Sequence, residues 1–82
     1  MSKRIGERVQ AVFGSEGRLV GFTWRSRRVI LDAVLDCWEE AGRWWAGEHP
    51  RRCYRVKACG GRIYELEEDL STGVWCVDRI LD

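Results

Sequence analysis

The chain has 82 residues, 45% hydrophobic and 33% charged, with 14 Lys or Arg against 13 Asp or Glu and a formal net charge of +1. That length and apolar share fit one globular domain over residues 1–82 and exclude a disordered tail. No apolar run reaches the length of a membrane span, and Met1-Ser2-Lys3-Arg4 leads into no signal segment; the expected setting is cytoplasmic, with four reduced thiols.

Short apolar runs punctuated by glycine turns point to all-β structure. The first strand is expected at Arg8–Phe13, with Val9, Ala11 and Phe13 on one face, before a turn at Gly14-Ser15-Glu16-Gly17. The second is expected at Arg18–Trp24, where Val20, Phe22 and Trp24 alternate with Leu19, Gly21 and Thr23, ending in a tight turn at Ser26. Residues 28–40 admit two readings. As a helix, at about 29–41, Ile30, Val34, Cys37, Trp38 and Ala41 share a face, but no Ser, Thr, Asp or Asn caps the start. As a strand, the parity changes between Leu31 and Val34 and needs a bulge near Asp32-Ala33. The bulged strand is the reading taken, with the helix as the alternative.

After Pro50 the pattern is clearer. With Cys59-Gly60-Gly61 as a three-residue loop, Val56 faces Tyr64, Tyr54 faces Leu66 and Arg55 faces Glu65, so apolar pairing and charge pairing demand the same register. A closing strand at Val74–Leu81 follows the turn at Ser71-Thr72-Gly73. The expected fold is therefore one small antiparallel meander of about six or seven strands, closed into a barrel or strongly curled.

Charge is arranged in blocks. The balance is +5 over residues 1–28, −4 over 29–50, +5 over 51–62 and −5 over 63–82. Consecutive segments of a meander are neighbours, so basic strands lie against acidic ones and cross-strand pairs neutralise much of this charge, with Arg55 and Lys57 expected to engage the run Glu65, Glu67, Glu68, Asp69.

Candidate chemistry is sparse. Cys37, Cys53, Cys59 and Cys76 are 16, 6 and 17 residues apart and lack the close pair of a zinc knuckle; His49 lies in a Gly/Pro loop without a nucleophile signature. Neither a phosphate-binding glycine loop nor paired catalytic carboxylates are recognisable, so no enzyme activity, metal or cofactor is expected. Aromatics beside arginines carry the sharper signal. Trp24, Trp38, Trp75, Tyr54 and Tyr64 read as core. Trp44 and Trp45 are adjacent, and on an extended strand adjacent residues point to opposite faces, so one ring would leave the core. Together with Arg43, Arg51 and Arg52 they form the candidate surface for a protein or a nucleic acid.

Several of these residues resemble a known family. Trp24-Arg25, Arg27-Arg28-Val29, Val34-Leu35-Asp36 with Trp38, and Trp44-Trp45 are followed by Tyr54-Arg55-Val56, Gly61, Tyr64-Glu65-Leu66, Asp69, Gly73, Trp75 and Arg79. The set, over roughly residues 18–82, is similar to a small uncharacterised bacterial domain. That domain stands alone or, in related form, forms the C-terminal tail of Y-family DNA polymerase homologues in mutagenesis cassettes. The resemblance implies a non-enzymatic accessory or docking module in translesion synthesis, with a protein partner from that machinery; it carries over no catalytic residue. The alternatives are a β-barrel that binds single-stranded nucleic acid and, third, a metal-stabilised structural domain. Homodimerisation through an edge strand is a further partner expectation.

Overall fold

The computed structural model describes residues 3–81, with the side chains of Lys3 and Trp44 outside the described set. Six antiparallel strands follow one another around a closed barrel: β1 (Lys3–Phe13), β2 (Leu19–Trp24), β3 (Arg27–Glu40), β4 (Arg51–Ala58), β5 (Ile63–Asp69) and β6 (Trp75–Leu81), with β6 returning to pair β1. A single 3-10 turn, Trp44–Ala46, interrupts the β3–β4 connection. Among the described residues no helix is long and apolar enough to cross a membrane.

The β4–β5 hairpin has the register that its sequence demands. Tyr54 pairs with Leu66, Arg55 with Glu65 and Val56 with Tyr64. Inside this frame Phe22, Val56, Leu66 and Val77 are fully buried, and Val9, Leu19, Ala58, Tyr64 and Trp75 complete the core. Edge-on aromatic contacts knit the layers: Phe22 lies 5.2 Å from Tyr64, and Phe13 lies 5.9 Å from Trp75. Tyr54 stacks on Trp75 at 5.1 Å. Quadrupole-matched contacts of this kind add to the area that the rings bury.

Closure of so small a barrel needs sharp bends, and bulges supply them. Residues 29–40 are strand, not helix, and the register slips at Asp32, as expected, and a second time at Leu35. Slips also occur beside Gly6, which has φ +66°, at Val20 on β2 and at Asp78 on β6. The Val20 bulge corrects one expectation. Leu19, rather than Val20, joins Phe22 inside, and Val20 turns outward. The Gly6 bulge lets β1 begin at Lys3, five residues before the expected start.

The β2–β3 turn is the two-residue loop Arg25-Ser26, both residues with positive φ (51° and 64°), as the twist of a tight hairpin requires. Glu7 secures it: its carboxylate accepts from Trp24 Nε1 at 3.0 Å and from the Arg25 guanidinium, which also lies over the Trp24 ring.

Where β2 meets β3 the backbones come close. A Cβ on Gly21 would lie 2.5 Å from the Val29 carbonyl oxygen, a contact with backbone that cannot rotate away. Gly21→Ala is therefore expected to destabilise the fold by about 1–3 kcal/mol in urea denaturation. An unchanged midpoint would contradict this packing.

Candidate interaction surface

The described contacts that hold the loop between β3 and β4 are polar. The Arg43 guanidinium donates to Glu48 Oε2 at 2.8 and 3.1 Å, and the Arg43 backbone N–H donates to Glu48 Oε1 at 2.9 Å. Those bonds hold the Glu48 carboxyl below its ordinary range and push Arg43 up. Gly42, with φ +74°, passes so near His49 that a Cβ would meet its carbonyl oxygen at 2.7 Å. At the far end the Pro50 carbonyl accepts from the Leu70 N–H at 3.0 Å, and His49 Nδ1 meets Asp69 Oδ2 at 3.1 Å. Asp69 also accepts from the Ser71 and Thr72 N–H groups, and the His49 bond is the largest cause of its lowered pKa. The loop is thus fastened along its length.

Trp45 stands on this loop, 69% exposed. The parity argument for Trp44 and Trp45 does not apply, because the pair opens a 3-10 turn and not an extended segment. The expectation for the Trp44 ring lies outside the described residues. The remaining tryptophans divide differently from the expectation. Trp75 is core and Trp24 packs partly buried against it. Trp38 is not inside the barrel: it pairs with Cys53 on the outer face, donates to Glu40 Oε2 at 3.0 Å and has the Arg55 guanidinium 5.8 Å from its ring.

The arginines expected to carry binding already have partners. Arg51 donates to Glu40 Oε1 at 2.7 and 3.0 Å and lies 3.6 Å from Glu67; Arg52 reaches Glu39 at 3.2 Å and Glu68 at 4.0 Å. Arg55 is bonded to Glu65, which Arg79 approaches to 3.9 Å. Lys57 reaches Asp32 on β3 rather than the acidic run on β5. Cross-strand neutralisation of the charge blocks is therefore realised pair by pair.

On the same outer face Cys53, Glu67 and Cys76 lie side by side across β4, β5 and β6. The two thiols are two strand spacings apart, about 10 Å, with Cys53 buried and Cys76 half-buried. Among the described residues no group of three or more His, Cys, Asp or Glu is arranged to hold a metal ion. Burial, then Glu40 and Glu67, push the Cys53 thiol up to about 11, which disfavours the reactive thiolate. His49, Asp69, Glu67 and Cys76 line one cavity, but burial also raises the Cys76 thiol.

Sequence reasoning missed a further surface. Phe13, Val20, Val34 and Leu35 are exposed around the end of the barrel where β3 outruns β2. The available signal was strand length, since a long strand beside a short one must leave part of its edge uncovered.

A family model for a domain of unknown function, DUF6504, matches residues 1–82. The chain belongs to that family. Neither a curated protein nor a solved structure matches it. The DUF6504 chain is a small all-β barrel.

Burial, and then Asp78, raise the Glu67 carboxyl above its ordinary range. At neutral pH its ionisation therefore opposes folding. Below the ordinary carboxylate range the group is protonated in both states and the opposition disappears. Glu67→Gln is expected to raise the melting temperature at pH 7 and leave it unchanged near pH 3. A loss of stability at pH 7 would show that the Arg51 contact outweighs burial.

Proposed function

We propose that this domain is a non-enzymatic docking module for a protein partner, and that the partner belongs to the cytoplasmic Y-family polymerase machinery of bacterial DNA-damage tolerance. The observation that carries the docking reading is a contrast on the loop end of the barrel. Trp45 is presented to solvent on a fastened loop, while Arg43, Arg51 and Arg52 are each engaged with a carboxylate. A large rigid ring on a pre-ordered loop offers apolar area at little entropic cost. A phosphate backbone, by contrast, would have to displace Glu48, Glu40 and Glu39 from those arginines, and phosphate tracking depends on cations with no such competitor. The polymerase link rests on the resemblance over roughly residues 18–82.

Direct binding of single-stranded nucleic acid is the second reading, and one observation favours it at a different place. Arg27 and Arg28 leave the β2–β3 turn at the opposite end of the barrel. Arg28 and Arg62 there share a groove with Ile30 and Tyr64.

Titration of the purified domain against a Y-family polymerase homologue from the same genome separates the readings. The docking reading expects saturable binding that Trp45→Ala weakens roughly tenfold or more, as for a buried aromatic anchor. It expects no quenching of tryptophan fluorescence by an oligonucleotide at low salt. Quenching that disappears as salt rises and is lost in Arg27→Glu/Arg28→Glu would support the second reading instead.

A further inference from the structure

Independently of the Trp45 loop, we infer that the open edge of β3 over Asp36–Glu40 receives an extended segment of a partner protein, apolar and basic in composition, as a seventh strand. β3 has 14 residues and β2 only six, and the β2–β3 ladder ends at the pair Gly21 and Ile30. Beyond that point, among the described residues, β3 is paired on its β4 side only. Past the bulges at Asp32 and Leu35, the five residues Asp36, Cys37, Trp38, Glu39 and Glu40 pair regularly with Arg55 through Arg51. Their far side therefore presents a straight run of backbone donors and acceptors, long enough for a short strand.

A local bond marks that side as unpaired. The Cys37 N–H donates to the Asp36 side chain at 2.9 Å, a carboxylate standing where a neighbouring strand's carbonyl would be. Among the described contacts, the end of the loop that follows β3 is fastened away from this edge. Its fastenings, Pro50 to Leu70 and His49 to Asp69, run to the β5 end on the other side of β4.

Two properties of the edge specify what fits. At its start, where β2 and β3 part, Leu19, Val20, Leu31, Ala33 and Val34 line an apolar groove. Val34 and Leu35 beside it are 44% and 49% exposed. Along its length β3 carries Asp32, Asp36, Glu39 and Glu40, and no Lys or Arg occurs from Val29 to Gly42. The cations that face this strand come from β4. Arg51 is bonded to Glu40 and Arg52 to Glu39, while Arg55 is committed to Glu65 and Lys57 lies 4.0 Å from Asp32. Arg18 lines the groove from the β2 side. Among the described contacts Asp36 has its local bond to Cys37 and no cation.

A second copy of the same edge would bring Asp36 and Glu39 of both strands together, and like charges across an antiparallel pair oppose association. The complementary strand alternates Lys or Arg with Val, Ile or Leu. Backbone hydrogen bonds would provide much of its affinity, and the groove and Asp36 its selectivity.

The test uses two blocked synthetic peptides of about nine residues, one alternating valine with lysine and the other valine with glutamate. Each is titrated into the isotope-labelled full chain and followed by NMR. The expected result is binding of the lysine peptide alone, with shifts concentrated on Asp36–Glu40, Val34 and Val20, and affinity that falls with salt. Asp36→Lys should weaken it roughly tenfold or more while Trp45→Ala leaves it unchanged. Both substitutions are on exposed positions, and the retained spectrum verifies folding. The inference is overturned if the lysine peptide causes no shifts, if they map elsewhere, or if both peptides bind equally. Concentration-dependent shifts at β3 without peptide would also overturn it, in favour of a second copy.

Discussion

A six-residue strand lies between one of eleven residues and one of fourteen, and that mismatch of lengths governs the molecule. Sheet closure removes edges only where neighbours run alongside each other. Here β2 covers the last part of β1 and the first part of β3, the Gly21–Val29 approach pins it to β3, and the long strands continue beyond it. The remainder of β1 bends onto β6 and the remainder of β3 onto β4. The bulges at Gly6, Val20, Asp32 and Leu35 are the bends that this arrangement requires. The exposed Val34 and Leu35 belong to the part of β3 that β2 leaves uncovered.

Electrostatics follow the same geometry. Basic β4 lies between acidic β3 and acidic β5, so Arg51 and Arg52 each find carboxylates on both sides. Such half-exposed pairs add little stability. Their larger consequence is functional: they occupy arginines that would otherwise form a phosphate-binding stripe. On β3 the carboxylates of Asp32, Glu39 and Glu40 are likewise met by cations of β4, and Asp36 bonds the Cys37 N–H beside it. The result is a domain of nearly zero net charge with distinct ends, one presenting Arg27 and Arg28 at a strained turn, the other presenting Trp45 and an acidic edge.

What was legible in the sequence depends on whether the cause was local. The β4–β5 register could be read because two requirements, Val56 against Tyr64 and Arg55 against Glu65, agree within one hairpin. The Asp32 bulge was visible as a parity change. The bulges at Val20, Leu35 and Asp78 were not, because they answer to the curvature of the whole barrel and leave no local mark. Trp38 was misplaced because its parity was judged without the second bulge, which sends it outside with Cys53. The Trp44-Trp45 argument assumed an extended backbone, whereas Gly42 and Gly47, both with positive φ, frame a 3-10 turn. Charge blocks revealed which strands pair, but not that Lys57 would choose Asp32 over the β5 run.

The central claim is that β3 beyond Ile30 is paired on one side only. Native-state amide hydrogen exchange tests it directly, since an edge strand turns alternate N–H groups to solvent. The Cys37 bond to Asp36 assigns the odd-numbered positions to the open side. The account predicts fast exchange at Cys37 and Glu39, slow exchange at Trp38 and Glu40, and uniform protection along β4, which has strands on both sides. Equal, strong protection of all four β3 amides in the monomer would contradict it.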